Sequence, residues 1–226
     1  LYDSQGDLII YGEIPPPGTT LHLHFLSAKE DSDDRPGFTL PSTVLTLPVN
    51  FEYELAELLL AVALSVTSFK EVGKRMRLAQ SLSETLYAAM PAVQNLPQNL
   101  SNSERASIQM CYGNAVATLA FHRGTTDLYH VAVQTYRAAL EQLSRGDSPI
   151  DWALTQKHLG ASLQAINEKT SDEDTLRQAA EALEASLEIF RLDNFPVQWA
   201  SAQNRLGQVL FKLDLKTGEQ EILKKS

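Results

Sequence analysis

The sequence is poor in cysteine and in basic residues, and it has no long apolar run. Its single cysteine, Cys111, cannot form a disulfide within the chain. Because disulfides are typical of oxidising compartments, we expect a cytoplasmic protein. The longest strongly apolar stretch, residues 58–66, is about half of the ~20 residues that a membrane-spanning helix needs. We therefore expect no membrane partner.

Basic residues are outnumbered: 19 Lys and Arg stand against 28 Asp and Glu, so the formal net charge is −9 at neutral pH. Binding to a phosphate backbone depends on clustered positive charge, and Lys70, Lys74, Arg75 and Arg77 form only a short basic patch. No nucleic acid partner is expected. Hydrophobic residues make up 43% of the chain, which is enough to fill a sizeable core and disfavours disorder.

A repeat of 47 residues dominates the second half of the chain. Identities at a single offset, without gaps, indicate a repeated structural unit rather than chance. They fall on tryptophan, Leu-Gly pairs, proline and alanine: Trp152 and Trp199, Leu159-Gly160 and Leu206-Gly207, Gly113 and Gly160, Pro149 and Pro196, Ala132 and Ala179.

Each repeat predicts two helices. The first covers about residues 150–168 and the second about residues 175–191, because their apolar residues recur at the three-to-four spacing of a buried helical stripe. Residues 170–174 supply capping and acidic side chains between them. Pro149 and Pro196 stand where a helix can begin but not continue.

Five positions are predicted to hold the repeats together. Gly113, Gly160 and Gly207 lie inside helical patterns, where glycine costs about 1 kcal/mol relative to alanine, so a close approach between helices is the expected compensation. Trp152 and Trp199 recur at equivalent places. We interpret both as packing residues between neighbouring units rather than as ligand-stacking residues.

These repeats resemble the tetratricopeptide repeat (TPR) family. The resemblance rests on Leu159-Gly160, Leu206-Gly207 and Ala132-x-x-x-Tyr136, and it covers residues 101–226. It implies a mainly α fold, an α-α superhelix of stacked helical hairpins. The period of 47 residues exceeds the ~34 of the family, and the tryptophan lies seven residues before the leucine rather than three. A two-helix repeat of armadillo or HEAT length is the alternative.

A more divergent helical pair is predicted before these repeats. Residues 52–68 form its first helix, and residues 91–103, rich in Pro, Asn and Ser, form the loop that follows its second helix. At the other end, residues 221–223 stand where another second helix would begin. We therefore expect the sequence to be a piece of a longer protein, cut within the repeat array, with self-association through the truncated end as one consequence.

The first fifty residues predict strands instead of helices. Residues 7–13, 20–27 and 42–47 are β-rich, and the Pro-rich residues 15–18 form a turn. We therefore divide the chain into a small β-rich segment, residues 1–50, and a helical array, residues 51–226. The small sheet is expected to pack on the first helical pair, where it caps the array or presents an edge to a partner.

Two small clusters invite a catalytic or metal-binding interpretation. His22 and His24 share one face of a strand, but zinc needs a third and usually a fourth ligand, and only the acidic residues 31–34 are near. Cys111 with His122 or His130 could pair a nucleophile with a base. Because Cys111 lies within a helical pattern, a packed thiol is the preferred interpretation. We predict no catalytic residue, metal or cofactor.

In the TPR family the first helices of the hairpins line a concave binding surface. The resemblance places eight residues of this sequence there: Met110, Asn114, Lys157, Gln164, Asn204, Gln208, Phe211 and Lys212. It implies a non-catalytic scaffold that binds a peptide or a partner protein on that face. The alternatives are a regulatory or sensory repeat region of a larger enzyme or signalling protein, and a small enzyme that uses His22 and His24.

Overall fold

The computed structural model describes residues 8–27, 36, 44–51, 53–67 and 72–225, without the side chains of residues 72, 74, 217 and 219–225. Three strands precede seven helices in this part of the chain. They are β1 (Leu8–Glu13), β2 (Thr20–Ser27), β3 (Val44–Pro48), α1 (Tyr53–Val66), α2 (Val72–Gln94), α3 (Asn102–Arg123), α4 (Thr126–Gln142), α5 (Pro149–Thr170), α6 (Glu173–Leu187) and α7 (Pro196–Lys225). The predicted mainly helical fold with a small N-terminal sheet is confirmed.

The strands form an antiparallel sheet in the order β1-β2-β3. The turn at Gly18, whose N–H donates to the Pro15 carbonyl, joins β1 to β2, and the turn residue has the positive φ of 89° that glycine tolerates. Leu23 and Phe25 are buried on one face of β2, as their alternation with His22 and His24 predicts. The sheet packs on the helices through this apolar face, and one hydrophobic cluster extends from Leu23 to Val209.

The outer edge of β3 is covered by α3. The Ser107 hydroxyl accepts a hydrogen bond from the N–H of Thr46 at 3.1 Å and donates one to the carbonyl of Val44 at 2.6 Å. A single side chain thus replaces a neighbouring strand by satisfying one donor and one acceptor of the β3 edge. It also ties the sheet to the first of the repeat helices.

The helices recur with the period that the sequence predicts. The first helices α3, α5 and α7 begin at Asn102, Pro149 and Pro196, which are 47 residues apart, and α4 and α6 begin at Thr126 and Glu173, also 47 apart. From α3 onward each helix packs on the next along the chain. The repeat therefore corresponds to one helical hairpin.

Local signals set the ends of the repeat helices. Ser101 caps α3 in a reciprocal capping box with Glu104, and α3 ends at Gly124 with a φ of 66°. Asp172 caps α6 by accepting a hydrogen bond from the N–H of Thr175 at 2.9 Å. Before it, Ser171 ends α5 in the left-handed region with a φ of 54°.

Three predicted boundaries are wrong. Pro91 lies inside α2, within the last turn, so the loop before α3 is shorter than predicted. The last predicted residues of α6 are not helical, because α6 ends at Leu187. Helix α7 continues to Lys225 without a turn before residues 221–223. In this third repeat Glu219 stands where Asp172 caps α6, and glutamate is not among the preferred capping residues.

Candidate functional site

The eight residues predicted for a binding surface separate into a buried and an exposed group. Met110, Asn114, Lys157 and Gln164, on α3 and α5, are buried, with Asn114 fully inaccessible and Lys157 only 8% exposed. The prediction that these four line an open surface is wrong. The other four, which lie on α7, are exposed or partly exposed: Asn204, Gln208, Phe211 and Lys212.

Neighbouring helices account for the burial of the first group. Met110 packs in a cluster with Leu154 and Phe190. The Asn114 side-chain oxygen accepts a hydrogen bond from the hydroxyl of Tyr136 at 2.8 Å. Because both polar groups are inside the hairpin, we interpret this contact as structural.

Gln164 is covered by α7. Its side-chain nitrogen donates to the side-chain oxygen of Gln208 at 2.8 Å, and its side-chain oxygen accepts from Arg205 at 3.0 Å. Nearby, the ammonium of Lys212 lies 3.5 Å from a carboxylate oxygen of Glu168. These polar contacts fix α7 against α5, and they place Gln208 at the border between the face of α7 that contacts α5 and the face that is open.

The open side of α7 carries a continuous stripe of exposed residues, one or two helical turns apart. We call it the α7 stripe, and its members are Asn204, Gly207, Gln208, Phe211 and Leu215. Phe211 is 63% exposed and Leu215 is 51% exposed, and Leu210 beside the stripe is 45% exposed. An uncovered apolar face of this kind on a helix is typical of an interaction surface.

The same positions are buried in both earlier repeats. The first four positions of the α7 stripe correspond to four buried residues in α5 and to four in α3: Lys157, Gly160, Ala161 and Gln164; Met110, Gly113, Asn114 and Ala117. In the earlier repeats the second helix of the hairpin and the next first helix cover this face. On α7, no residue that the structure describes takes their place.

The three repeat glycines also differ between the earlier repeats, where a neighbouring helix covers them, and α7, where none does in the described part of the chain. A Cβ added at Gly113 would lie 2.7 Å from the Tyr136 ring, and one added at Gly160 would lie 2.7 Å from Leu183. The predicted close approach is confirmed at these two positions. It is wrong at Gly207, where an added Cβ would meet no described atom within 4 Å.

The two tryptophans are both half-buried. Trp152 packs against Leu143 and its neighbours in the preceding hairpin and against the Phe190 cluster, with the Arg145 guanidinium 5.8 Å from its ring. Its predicted packing between neighbouring units is confirmed. For Trp199 this role stays a prediction.

The histidines of β2 take different environments. The His24 ring stacks on Tyr11 with a centroid distance of 4.8 Å. His22 lines a cleft of about 470 Å³ between the sheet and the starts of α3 and α5, together with Glu104 and Asp151. Partial burial raises the pKa of the Asp151 carboxyl, although the side chain still reaches solvent.

Within the described ranges no three His, Cys, Asp or Glu residues gather as a metal site; residues 31–34 lie outside those ranges.

Cys111 has the surroundings of a packed thiol. It is 1% exposed, and burial, followed by the nearby Asp151 carboxylate, raises its pKa to about 12. Because the thiolate is the reactive form, this thiol is not activated at neutral pH.

Of the basic patch, Arg75 and Arg77 are exposed; Lys70 and the Lys74 side chain lie outside the described part of the chain.

Comparison with known proteins adds no identification. None of the protein-family models, curated proteins or solved structures compared with the chain matches it. No described helix combines the length and the apolar character required to cross a membrane.

The exposure of two apolar residues of α7, Leu210 and Leu215, was not predicted from the sequence. Leu210 lies 47 residues after Leu163, which is buried, so the repeat pattern predicts that Leu210 is buried as well. Leu215 has a glutamate as its counterpart in the preceding repeat. The one indication in the sequence was that this position changes from Glu168 to Leu215 between the two repeats.

Proposed function

We propose that this chain is a non-catalytic protein-interaction module of TPR-like stacked hairpins, and that it binds a partner protein or peptide on the α7 stripe. One observation carries the proposal. Positions that are buried in two consecutive repeats are exposed in the third, where they present Asn204, Gln208 and Phe211 beside Gly207. The equivalent positions form a helix interface in both earlier repeats, and in α7 they carry an aromatic side chain and two amides, which suit an interface with a partner.

The earlier hairpins indicate the kind of partner. The second helices α4 and α6 place Tyr136 over Gly113 and Leu183 over Gly160. A partner of the same kind is an amphipathic helix with a bulky apolar side chain that fits over Gly207. Helix-in-groove recognition of this type uses apolar anchors about one helical turn apart.

The apolar residues of the stripe supply the driving force. Burying a side chain such as Phe211 or Leu215 contributes about 1.5–3 kcal/mol relative to leaving it in water. The amides of Asn204 and Gln208 flank these residues and can hydrogen-bond to polar groups at the rim of the interface. The free thiol Cys111 has no disulfide partner, and we propose a cytoplasmic location for the module.

A peptide that copies residues 172–190 tests the proposal, because α6 is the helix that covers Gly160. We expect this peptide to bind the wild-type protein and to bind the double variant Asn204→Ala, Phe211→Ala at least about tenfold more weakly, a loss of about 1.4 kcal/mol or more. Fluorescence anisotropy of the labelled peptide measures the affinity. The midpoint of thermal unfolding should stay unchanged, because both side chains are exposed.

Tyr87→Ala is the matched control. Tyr87 is an exposed aromatic residue on α2, at 77% exposure, and lies away from the stripe. Its replacement should leave the affinity unchanged. Equal binding by the wild type and the double variant, or an equal loss in the control, would show that the stripe is not the binding surface.

A further inference from the structure

A cleft between α2 and α3 is lined by cationic side chains. Its volume is about 330 Å³, and it lies between the first turns of α2 and the C-terminal end of α3. Six residues line it: Arg75, Met76, Ala79, Gln80, His122 and Arg123. No described residue of α7 is among them, so the cleft is separate from the α7 stripe.

Arg75 and Arg123 make this cleft positive in a chain whose formal net charge is −9. Both side chains are exposed, and neither forms a hydrogen bond or an ion pair with a residue that the structure describes. Glu84 accepts a hydrogen bond from the Gln80 side chain at 2.6 Å and does not line the cleft. The two guanidinium groups therefore face the cleft without a carboxylate among its lining residues.

The two arginines belong to helices that pack on each other. The Tyr112 hydroxyl of α3 donates a hydrogen bond to the Leu86 carbonyl of α2 at 3.3 Å. Arg123 is the last residue of α3, which ends at Gly124. Because both arginines lie on packed helices rather than on loops, the fold sets the separation of their backbones.

We propose that this cleft binds a phosphate monoester, with Arg75 and Arg123 on its phosphate oxygens. A guanidinium group binds an oxyanion through two parallel hydrogen bonds. A carboxylate has only two oxygens, which one guanidinium can satisfy. A phosphate monoester has three terminal oxygens and a charge of about −1.5 to −2 at pH 7, which suits two guanidiniums from different helices.

The cleft also has an apolar wall for the organic part of the ester. Met76 is 70% exposed, and its flexible side chain and Ala79 provide a surface on which an apolar group can pack. The volume is at the lower end of the range for small-molecule sites, about 300–1,000 Å³. The phosphate therefore belongs to a small phosphorylated molecule or to a phosphorylated side chain of a partner.

Phenyl phosphate is a suitable probe because it joins one phosphate to one small apolar ring. In isothermal titration calorimetry it should bind the wild type, and it should bind Arg75→Gln and Arg123→Gln at least about tenfold more weakly. Both variants should keep the circular dichroism spectrum of the wild type, because both side chains are exposed.

Arg77→Gln is the matched control. Arg77 is exposed on the same helix as Arg75 but does not line the cleft. Removing its charge should change the affinity for phenyl phosphate by less than about twofold, because solvent and salt screen a charge outside the site.

Two further titrations identify the anion and its source. Benzoate, which carries one carboxylate on the same ring, should bind the wild type at least about tenfold more weakly than phenyl phosphate. A short peptide with one phosphoserine is compared with phenyl phosphate and with its own unphosphorylated form. Tighter binding of the phosphopeptide assigns the site to a phosphorylated partner, and equal or weaker binding assigns it to a free ester.

Glu71 is the carboxylate that could compete with the ligand. It is the one acidic residue among four basic residues in the range 70–77, and it lies outside the described residues. Glu71→Gln should bind phenyl phosphate at least as tightly as the wild type. Weaker binding by this variant, no binding by the wild type at about 10 mM phenyl phosphate, an equal loss in Arg77→Gln, or equal binding of benzoate would overturn the proposal.

Discussion

Replacing Gly160 by alanine should lower the free energy of unfolding by about 1–3 kcal/mol, whereas the same change at Gly207 should raise it by up to about 1 kcal/mol. The two glycines occupy equivalent positions in consecutive repeats. Their opposite effects follow from their surroundings, because Gly160 faces α6 and Gly207 faces no described atom within 4 Å of an added Cβ. This pair of variants therefore measures whether the third repeat helix is covered.

At Gly160 the new methyl group has no room. Its Cβ would lie 2.7 Å from Cγ of Leu183 and 3.1 Å from the carbonyl oxygen of Ala179. A flexible side chain can move away, but the carbonyl belongs to the backbone of α6, so α5 and α6 must separate. Overpacking of this kind outweighs the better helix propensity of alanine.

At Gly207 only the higher helix propensity of alanine affects the stability. An added Cβ meets no described atom within 4 Å, so alanine stabilises α7 by reducing the freedom of the unfolded chain. Urea denaturation followed by circular dichroism measures both variants. A destabilised Gly207→Ala protein would mean that this face of α7 is packed in solution. A neutral Gly160→Ala protein would mean that α5 and α6 do not approach as closely as the structure shows.

The sequence predicted the fold well because the repeat constrains it. A fixed offset of 47 residues locates five helix starts, since the apolar pattern recurs at that offset and a proline begins both α5 and α7. The alternation in β2 likewise determined which residues face the core. The end of α7 was predicted wrongly: the helix runs through Gly218, which stands where Ser171 ends α5, and Glu219 stands where Asp172 caps α6.

The binding surface was predicted less well, for a different physical reason. Periodicity shows which residues share one face of a helix, but it does not show whether another helix covers that face. Gln164 and Phe211 occupy the same repeat position, yet Gln164 is 3% exposed and Phe211 is 63% exposed. The polar character of Asn114 and Lys157 suggested an open surface. Their burial comes from the packing of neighbouring helices, which for Asn114 include α4 of its own hairpin.

Acidification below pH 6.5 should destabilise the protein through His158. This side chain is 3% exposed on α5, its ring lies 5.9 Å from the Tyr136 ring, and its Nε2 atom has no hydrogen-bond partner among the described residues. Burial, followed by the positive charges of Lys157 and Arg205, holds its pKa well below the ordinary 6.5. The folded protein therefore keeps this imidazole neutral.

The sign of the pH effect follows from this depressed pKa. In the unfolded chain the imidazole takes up a proton as the pH falls through about 6.5, while in the folded protein it does not. The unfolded state then binds more protons, and each pH unit below 6.5 lowers the free energy of unfolding by about 1.4 kcal/mol until the folded pKa is reached. Above pH 6.5 the contribution of His158 is constant.

The variant His158→Gln isolates this contribution from the other titrating groups. Denaturation of the wild type and the variant from pH 8 to pH 5.5 should show a difference in stability that is constant above pH 6.5 and changes by about 1.4 kcal/mol per unit below it. His130→Gln, which removes an exposed imidazole from α4, is the matched control variant. Parallel curves for the wild type and His158→Gln would show that His158 becomes protonated without unfolding, and that the junction between α4, α5 and α7 admits water.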